Sequence, residues 1–332
     1  MNKSTTNAKL TPDVLQFDME AEVARISERL REILRSDLHR RGYVVAVSGG
    51  IDSSVSATLC VKALGVNKVF SLLMPEADSS SSTQDRGKQL VQHLGIEYDE
   101  QNIAATLEAI GCYRWRDEAI RSVFSEYSSG WKNKITISGG TQGQVNHFNL
   151  VVQSPDGKLH TARLGLKEYL QIVAATNFKQ RIRKTLEYFH ADRFNYAVIG
   201  TPNRLEYDQG FFVKNGDGAA DVKPIAHLYK SQVYALAWHM GLPESICNAT
   251  PTTDTYSLSQ GQDEFYFALP YAQMDLALWA HNHHRPAAEV AEVLGITVKH
   301  AEFIYQDIEA KRRTTHYLHA RPVLAFPVPE IH

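Results

Sequence analysis

Cysteine is scarce in this sequence of 332 residues. Its three cysteines, Cys60, Cys112 and Cys247, lie far apart and form no Cys-x-x-Cys pair. This spacing disfavours a disulfide framework and a structural zinc site, so we expect a reducing compartment. The polar N-terminus lacks the apolar core of a secretory signal, and no apolar run approaches the roughly 20 residues that span a bilayer. We therefore predict a cytoplasmic protein without a membrane partner.

Basic residues are not in surplus either. Lys and Arg number 35 against 37 Asp and Glu, which gives a formal net charge of −2. Because nucleic-acid-binding proteins usually carry a basic surplus, we expect no nucleic-acid partner. The composition, 43% hydrophobic and 22% charged, is typical of a globular protein with a sizeable core.

Short apolar runs alternate with amphipathic segments along most of the chain. Predicted strands lie at 43–47, 68–74, 96–98 and 196–199. Predicted helices lie at 14–41, 55–64, 83–94, 166–190 and 229–240. The four-serine run 79–82 is predicted to form a loop. Strand–helix–strand alternation implies right-handed crossovers, so the predicted fold class is α/β, a doubly wound parallel sheet with helices on both faces.

One segment, 128–164, has a different pattern. Ile135 and Ile137, and later Phe148, alternate with polar neighbours, and this period of two is typical of strands. Ser154-Pro-Asp-Gly157 is a tight-turn signal. The segment is therefore predicted to be a β-hairpin inserted into the α/β body.

A serine- and glycine-rich turn joins the first predicted strand to the next helix. Its residues are Ser48, Gly49, Gly50, Ile51, Asp52, Ser53 and Ser54. Free N–H groups at a helix start favour phosphate, and the glycines let the backbone approach phosphate oxygens. Asp52 would repel a polyphosphate unless a Mg²⁺ ion bridges the two. The turn lacks the Gly-Lys-[Ser/Thr] of a Walker loop, so transfer of the γ-phosphate is not predicted.

The Ser-Gly-Gly tripeptide recurs at 138–140, but its surroundings differ. This second copy lacks the acid, the serine pair and a following helical pattern, and it lies between strand-like segments. It is therefore predicted to be a turn. The histidine-rich run 281–284 is not predicted to hold a metal, because a helix would splay its side chains.

The first turn resembles the S-G-G-x-D-S loop of the ATP pyrophosphatase (PP-loop) family, whose members cleave ATP between its α and β phosphates and adenylate a substrate. The stretch 177–232 is similar to the body of NAD synthetases, with Gly-Thr, a downstream Glu and G-F-F-x-K-x-G-D-G-x-x-D-x-x-P. "PTTD" at 251–254, "QGQDE" at 260–264 and "EAKRR" at 309–313 continue the likeness. The resemblance runs from about residue 20 to residue 313.

The resemblance implies an ammonia-dependent NAD synthetase that amidates deamido-NAD through an adenylate, with ATP and Mg²⁺. It implies that Asp52 and Glu206 hold Mg²⁺. It implies that ATP contacts, besides the turn, Thr201, Lys230 and Thr252. The residues implied to bind deamido-NAD are Arg181, Lys214, Asp221 and Lys311. Lys230 would neutralise the charge that develops as pyrophosphate leaves.

Ammonia is mostly protonated at neutral pH, so the second half of the reaction needs a proton acceptor. Asp217 lies in the Gly-rich part of the motif. A carboxylate there can attract the ammonium cation and take its proton. Asp217 and Lys230 are therefore the predicted catalytic residues.

The resemblance also implies an organisation. It predicts a polar tail and amphipathic helix at 1–40, a PP-loop ATP-binding synthetase domain at 41–275 and a C-terminal helical extension and tail at 276–332. A homodimer is implied as well. Glutamine-using relatives carry a large glutaminase domain before the phosphate loop, whereas 47 residues precede it here. We therefore expect free ammonia, or ammonia from a separate glutaminase.

Three other interpretations stay open at this point. A PP-loop synthetase could amidate a different carboxylate by the same two steps, and the sequence departs from the family pattern at Pro202-Asn203-Arg204, in the inserted segment and at Ala310. A tRNA-modifying enzyme is disfavoured by the lack of paired cysteines and of a basic surplus. A regulator without catalysis is disfavoured because both Asp52 and Glu206 are present.

Overall fold

The chain folds around a four-stranded parallel sheet with the strand order β3–β2–β1–β7. A computed structural model describes residues 9–138, 147–251, 255–258, 261 and 269–329. The strands of this sheet are β1 (Tyr43–Ala46), β2 (Val69–Leu73), β3 (Glu97–Glu100) and β7 (Ala197–Ile199). A second, antiparallel sheet contains β4 (Lys132–Ser138), β5 (His147–Gln153) and β6 (Leu159–Arg163).

Helices cover both faces of the parallel sheet. The helices are α1 (Met19–Glu32), α2 (Ile51–Leu64), α3 (Ser81–Leu94), α4 (Ala104–Ala109), α5 (Cys112–Arg121), α6 (Leu166–Phe194), α7 (Arg204–Gln209), α8 (Lys230–His239), α9 (Glu244–Cys247), α10 (Tyr271–Asn282), α11 (Ala287–Leu294) and α12 (Val298–His319). Tyr43 and Val45 of β1 pack into a core with α1, α2 and α8. Val44, between them, packs on the opposite face against residues of α5 and α6. This alternation confirms the predicted fold class.

The first helix is shorter than the sequence predicts. It begins at Met19 rather than near residue 14, because the Asp18 carboxylate accepts a hydrogen bond from the Ala21 N–H (3.0 Å) and caps it. A short 3-10 turn, Pro12–Leu15, precedes it, and a π-helical turn, Ile33–Asp37, follows it. The amphipathic stripe of the sequence thus spans two helical geometries.

The prediction of a loop for the four-serine run is wrong for its second half. Ser81 and Ser82 form the first turn of α3. The Ser80 hydroxyl accepts a hydrogen bond from the Thr83 N–H (3.2 Å) and caps the helix. Serine at this position satisfies a helix-terminal N–H that would otherwise lack a partner, which is why the run starts a helix.

The inserted segment is a three-stranded sheet rather than the predicted hairpin. Strands β4 and β5 pair as expected, and the turn to β6 forms at the predicted place, with the Gly157 N–H donating to the Ser154 carbonyl (2.8 Å). The additional strand β6 pairs with β5. It was missed because its side chains are mostly exposed and show no clear alternation. The second Ser-Gly-Gly lies mostly outside the described residues.

The C-terminal helices α10, α11 and α12 have an apolar cluster of their own, which includes Met274, Val290 and Ile304. Leu10, almost fully buried, packs into this cluster from the N-terminal segment. The two ends of the described chain are therefore joined by apolar packing. None of the described helices is long and apolar enough to cross a membrane.

All three cysteines are buried as free thiols. Cys60 and Cys247 lie in the core on one face of the parallel sheet, and Cys112 lies in the core on the other face. Burial raises the pKa of each thiol, that of Cys112 to about 11.

Candidate active site

The predicted phosphate cradle lies at the carboxyl edge of the parallel sheet. Helix α2 starts at Ile51, directly after β1 and the turn, with Gly50 as its N-cap. The Ser53 and Ser54 hydroxyls both donate to the Gly50 carbonyl (3.0 and 2.8 Å). They tighten the turn, while the N–H groups of the first helical turn stay available for an anion.

Gly49 allows the close packing of this turn. Its φ is +78°, a conformation that side chains other than that of glycine rarely adopt. A Cβ atom at this position would lie 2.2 Å from the Thr83 carbonyl oxygen of α3. The Arg86 side chain donates to the Gly49 carbonyl (3.1 Å). The glycine therefore lets the cradle dock against α3.

A cavity of about 760 Å³ opens over the cradle. Members of the turn that line it are Ser48, Gly50, Ile51, Asp52 and Ser53. Other predicted site residues that line it are Thr201, Glu206, Asp217, Lys230 and Lys311. Its volume lies within the range of small-molecule sites. The structure therefore brings ten of the predicted residues to one cavity.

The centre of the site is an ion pair between Asp52 and Lys230. The Lys230 ammonium, whose side chain is 2% exposed, contacts one Asp52 carboxylate oxygen. The Asn203 amide donates to the other oxygen (3.0 Å). Burial opposes the charge on Lys230, but Asp52 and Glu206 outweigh it and raise the pKa of Lys230. The lysine is therefore held as a cation at the cradle.

Glu206 is brought close to this ion pair by a helix cap. Asn203 is the N-cap of α7, and its side-chain oxygen accepts from the Glu206 N–H (3.1 Å). The Glu206 carboxylate in turn accepts from the Asn203 N–H (3.1 Å). Asn203 therefore bonds both predicted metal ligands.

A buried carboxylate on α10 fixes the position of Lys230. Asp275 accepts hydrogen bonds from the backbone N–H groups of Lys230 (3.2 Å) and Ser231 (2.7 Å), the first two residues of α8. Burial raises the pKa of Asp275 to about 6. Because Lys230 is the first residue of α8, Asp275 helps to fix the backbone from which the Lys230 side chain extends.

Asp217 lies in a separate polar corner of the cavity. Its carboxylate accepts from the Val213 N–H (2.7 Å), and burial raises its pKa. Lys184 and Glu187 of α6 line the same cavity and form a buried ion pair (2.7 Å). A carboxylate with a raised pKa holds a proton more readily than a solvated one, which suits a proton acceptor.

Helix α6 forms one long wall of the cavity. Its lining residues include Tyr169, Val173, Thr176, Gln180, Arg183 and Glu187. They recur every three or four positions, so they share one face of the helix. This stripe spans about 27 Å at a rise of about 1.5 Å per residue.

Three residues predicted to bind deamido-NAD do not line the cavity. The Arg181 guanidinium donates to the Lys214 carbonyl (3.3 Å), and the Lys214 ammonium donates to the carbonyls of Tyr317 and Ala320 at the end of α12. Asp221 accepts from the Val198 N–H (2.7 Å) at the edge of β7. Their predicted role stays untested by this geometry. Thr252 lies outside the described residues.

Lys311 lies inside the cavity. Its ammonium pairs with Asp307 (2.6 Å), one turn earlier on α12. Burial lowers the pKa of Lys311, although Asp307 opposes this shift. Lys311 is thus the member of the predicted deamido-NAD group that shares the cavity with the cradle.

Sequence reasoning missed two parts of the site. Asn203 was noted only as a departure from a family pattern, although Asn203-x-x-Glu206 has the spacing of a capping box. The second part is a buried network in which the Lys179 ammonium contacts Glu76 (2.9 Å), Asp78 (2.6 Å) and the Thr255 carbonyl (2.8 Å). No local pattern predicts this network, because its members come from distant segments.

Comparison with known proteins decides between the open interpretations. A family model described as NAD synthase matches residues 22–125 and 151–317. The chain belongs to the NAD synthase family. It is 54% identical over 318 residues to the NH(3)-dependent NAD(+) synthetase of Mesorhizobium japonicum, covering 96% of this chain and 100% of that relative.

Two solved structures have the same fold. The NH3-dependent NAD synthetase of Campylobacter jejuni has a TM-score of 0.62 at 22% identity, covering 94% of this chain and all of that one. The NMN synthetase of Francisella tularensis has a TM-score of 0.63 at 21% identity, covering 93% and 99%. The family model leaves out residues 126–150, which contain β4 and the start of β5. The NAD synthase fold here therefore carries an added element at its active site.

Proposed function

We propose that this chain is an ammonia-dependent NAD synthetase that amidates deamido-NAD to NAD at the expense of ATP. It is a ligase that forms a carbon–nitrogen bond. The observation that carries the proposal is the buried Lys230 ammonium, paired with Asp52 at the Ser-Gly-Gly turn in a chain of the NAD synthase family. A fixed positive charge beside the turn supports the binding of a polyphosphate there.

The reaction has two steps. A carboxylate oxygen of deamido-NAD attacks the α-phosphorus of ATP, and the bond to the β-phosphate oxygen breaks, which releases pyrophosphate. Ammonia then attacks the acyl carbon, and AMP leaves with the carboxylate oxygen. The cradle and Lys230 stabilise the negative charge that develops on the departing pyrophosphate. Thr201 and Thr252 are proposed to contact ATP beside the turn.

Asp52 and Glu206 fit a magnesium site. Magnesium prefers carboxylate oxygens and needs only one or two of them besides substrate phosphates and water. Both acids hydrogen-bond Asn203, and both raise the pKa of the same lysine, so they lie close together. A Mg²⁺ ion would be held by Asp52 and Glu206 and would offset the negative charge of the phosphates. In the described part of the chain no larger cluster of His, Cys, Asp and Glu is placed to hold a metal.

Asp217 is proposed to accept the proton of ammonium in the second step. Its carboxylate lines the cavity, and one of its oxygens is held by the Val213 N–H. The anion attracts ammonium and then takes one proton, which leaves neutral ammonia to attack the acyl carbon.

The deamido-NAD site is proposed to extend beyond the cavity. Lys311 lies inside it, whereas Arg181, Lys214 and Asp221 lie outside. We propose a homodimer as the assembly and free ammonia, or ammonia from a separate glutaminase, as the nitrogen source.

One assay tests this function. Purified protein receives ATP, Mg²⁺, deamido-NAD and ammonium, and NAD, AMP and pyrophosphate are quantified. We expect the three products in equal amounts, no NAD when ammonium is replaced by glutamine, and little turnover without Mg²⁺.

Two other product patterns would contradict the proposed reaction or its substrate. ADP and phosphate would contradict cleavage between the α and β phosphates. AMP and pyrophosphate formed with other carboxylates, but no NAD with deamido-NAD, would favour a synthetase for a different substrate.

A further inference from the structure

The segment that the family model leaves out contributes to one wall of the cavity. Ile137 of β4 and Phe148 of β5 line the cavity together with Tyr169 and Val173 of α6. The rings of Phe148 and Tyr169 stack with their centroids 4.1 Å apart and their planes 17° apart. We call these four side chains the aromatic wall. None of them carries a charge at neutral pH.

Another part of the cavity is strongly polar. It contains the Asp52–Lys230 ion pair at the cradle and the Lys184–Glu187 ion pair on the later turns of α6. The stripe on α6 therefore changes from apolar near residue 169 to charged near residue 187. A ligand that fills this cavity is expected to have an anionic part and a flat apolar part.

The aromatic wall is held in place by the chain that surrounds it. Ile135 of β4 and Leu150 of β5, each two positions from a lining residue of the same strand, are fully buried and share one apolar cluster with Phe148 and Tyr169. Asn133 of β4 accepts a hydrogen bond from the Leu258 N–H (3.0 Å) and donates its own N–H to the Ser257 hydroxyl (2.8 Å). The inserted sheet is thereby fixed to segment 255–258, just beyond Thr252.

We propose that the aromatic wall binds the adenine base of a nucleotide substrate. The proposal rests on the proposed function, since ATP and deamido-NAD both contain adenine. Phosphates are drawn to the cradle and its cation, whereas the faces of a purine gain most from stacking on aromatic side chains. The length of the α6 stripe leaves room for an extended nucleotide between these two parts of the cavity.

The experiment removes the ring of Phe148 and measures each substrate separately. Stacking of a base on an aromatic side chain contributes about 1–3 kcal/mol, so Phe148→Ala is expected to raise KM by roughly 5- to 150-fold. A rise for ATP assigns the wall to the adenine of ATP. A rise for deamido-NAD alone assigns it to the adenine of that dinucleotide if inhibition by nicotinate mononucleotide, which has no adenine, stays unchanged, and to the nicotinate ring, against the proposal, if that inhibition weakens equally. Phe148→Tyr keeps the ring and should restore the wild-type KM.

Two controls separate loss of a base contact from damage to the site. Phe124→Ala also removes a ring near the inserted sheet, but Phe124 does not line the cavity, so both KM values should stay unchanged. Inorganic triphosphate competes for the cradle without a base, and its inhibition constant should be the same in Phe148→Ala and wild type.

Two further results would overturn the proposal. One is unchanged KM values for both substrates in Phe148→Ala, and the other is an equal loss of affinity for inorganic triphosphate. Equilibrium binding of ATP and of deamido-NAD to wild type and Phe148→Ala gives the same comparison without turnover. A wild-type protein that makes no NAD would refute the proposed function, while these binding constants would still decide the role of the wall.

Discussion

Among single residues, Lys230 is held by both its side chain and its backbone. Its ammonium is buried, paired with Asp52 and held cationic by two carboxylates. Lys230→Met removes the positive charge that stabilises the departing pyrophosphate. We expect adenylate formation to fall by about 10²- to 10³-fold, as for the loss of one transition-state donor. The measurement is pyrophosphate release in a single turnover.

The matched control for this variant is Lys62→Met. Lys62 is exposed near the end of α2 and lies outside the cavity. Its replacement should leave pyrophosphate release unchanged. If Lys230→Met kept the wild-type rate, the ion pair would have only a structural role.

Asp217 gives a prediction about pH. Burial raises its pKa above the ordinary range for aspartate, and only the ionised form can accept a proton. The rate of the ammonia step at saturating ammonium should therefore increase as pH rises through this raised pKa. In Asp217→Asn this increase with pH should be absent, and the rate of NAD formation should fall by about 10²- to 10⁴-fold.

Adenylate formation serves as the internal control for Asp217→Asn. AMP and pyrophosphate should still form in a single turnover with deamido-NAD. An unchanged rate of NAD formation in this variant, with adenylate formation intact, would refute the role of Asp217.

The positions of single site residues could be predicted from the sequence when those residues directly follow parallel strands. Asp52 after β1 and Glu206 after β7 meet because the carboxyl ends of these adjacent strands share one edge. Arg181 and Asp221 could not be placed, because their direction depends on packing around a long helix and an edge strand. The role of Asn203 was overlooked because it consists of hydrogen bonds to Asp52 on α2 and Glu206 on α7, which only the folded chain brings together.

At the scale of elements, the start of α8 depends on a carboxylate from α10. Asp275→Ala would leave the buried N–H of Lys230 and the partly buried N–H of Ser231 without their acceptor, at a cost of about 1–3 kcal/mol for the buried group in the free energy of unfolding. Because Lys230 begins this helix, kcat should fall as well. Thermal unfolding and the ATP-to-AMP turnover measure the two effects.

A graded series distinguishes these two effects. Asp275→Asn keeps the shape and one acceptor oxygen, so its losses should lie between those of wild type and Asp275→Ala. A lower stability with an unchanged kcat would show that Asp275 caps α8 without positioning Lys230.

Most elements could be predicted because their hydrophobic pattern is clear, as for the continuous apolar run of β1 and the amphipathic stripe of α1. The errors have local physical causes. Side-chain capping by Asp18 and Ser80 set helix starts that hydrophobicity does not mark. Strand β6 is exposed and polar, so only its pairing with β5 makes it a strand. The domain boundaries at 40 and 275 stay a prediction.

At the scale of the whole molecule, the Lys179 network joins distant parts of the chain. Asp78 contacts both Lys179 and Arg116 (2.6 Å each). Burial opposes ionisation of Asp78, but the two cations outweigh it and lower its pKa. Its contribution to stability is therefore complete above the unfolded pKa of about 3.9 and is lost as pH falls through the lower folded value.

Asp78→Asn tests this linkage. At neutral pH it breaks a buried ion pair and should cost about 3–5 kcal/mol in the free energy of unfolding. The difference from wild type should shrink as pH falls below about 4, because the unfolded chain then takes up a proton at Asp78, and it should be lost once pH has passed the lower folded pKa. Denaturant titrations at several pH values measure it, with the exposed Asp85→Asn as a control that should change little at any pH. A difference that is constant with pH would contradict the assignment.

The three buried cysteines lie in two different cores, and thiol modification can report the opening of each core. A thiol reagent modifies the thiolate, and burial both hides these sulfurs and raises the pKa values of their thiols. Each cysteine is therefore silent in the native state and becomes reactive only when its own core opens. Because Cys60 and Cys247 lie on one face of the sheet and Cys112 lies on the other, the order in which they are alkylated records which half of the protein loosens first. Alkylation of the three native cysteines therefore reports the order in which the two cores open during unfolding, without an engineered label.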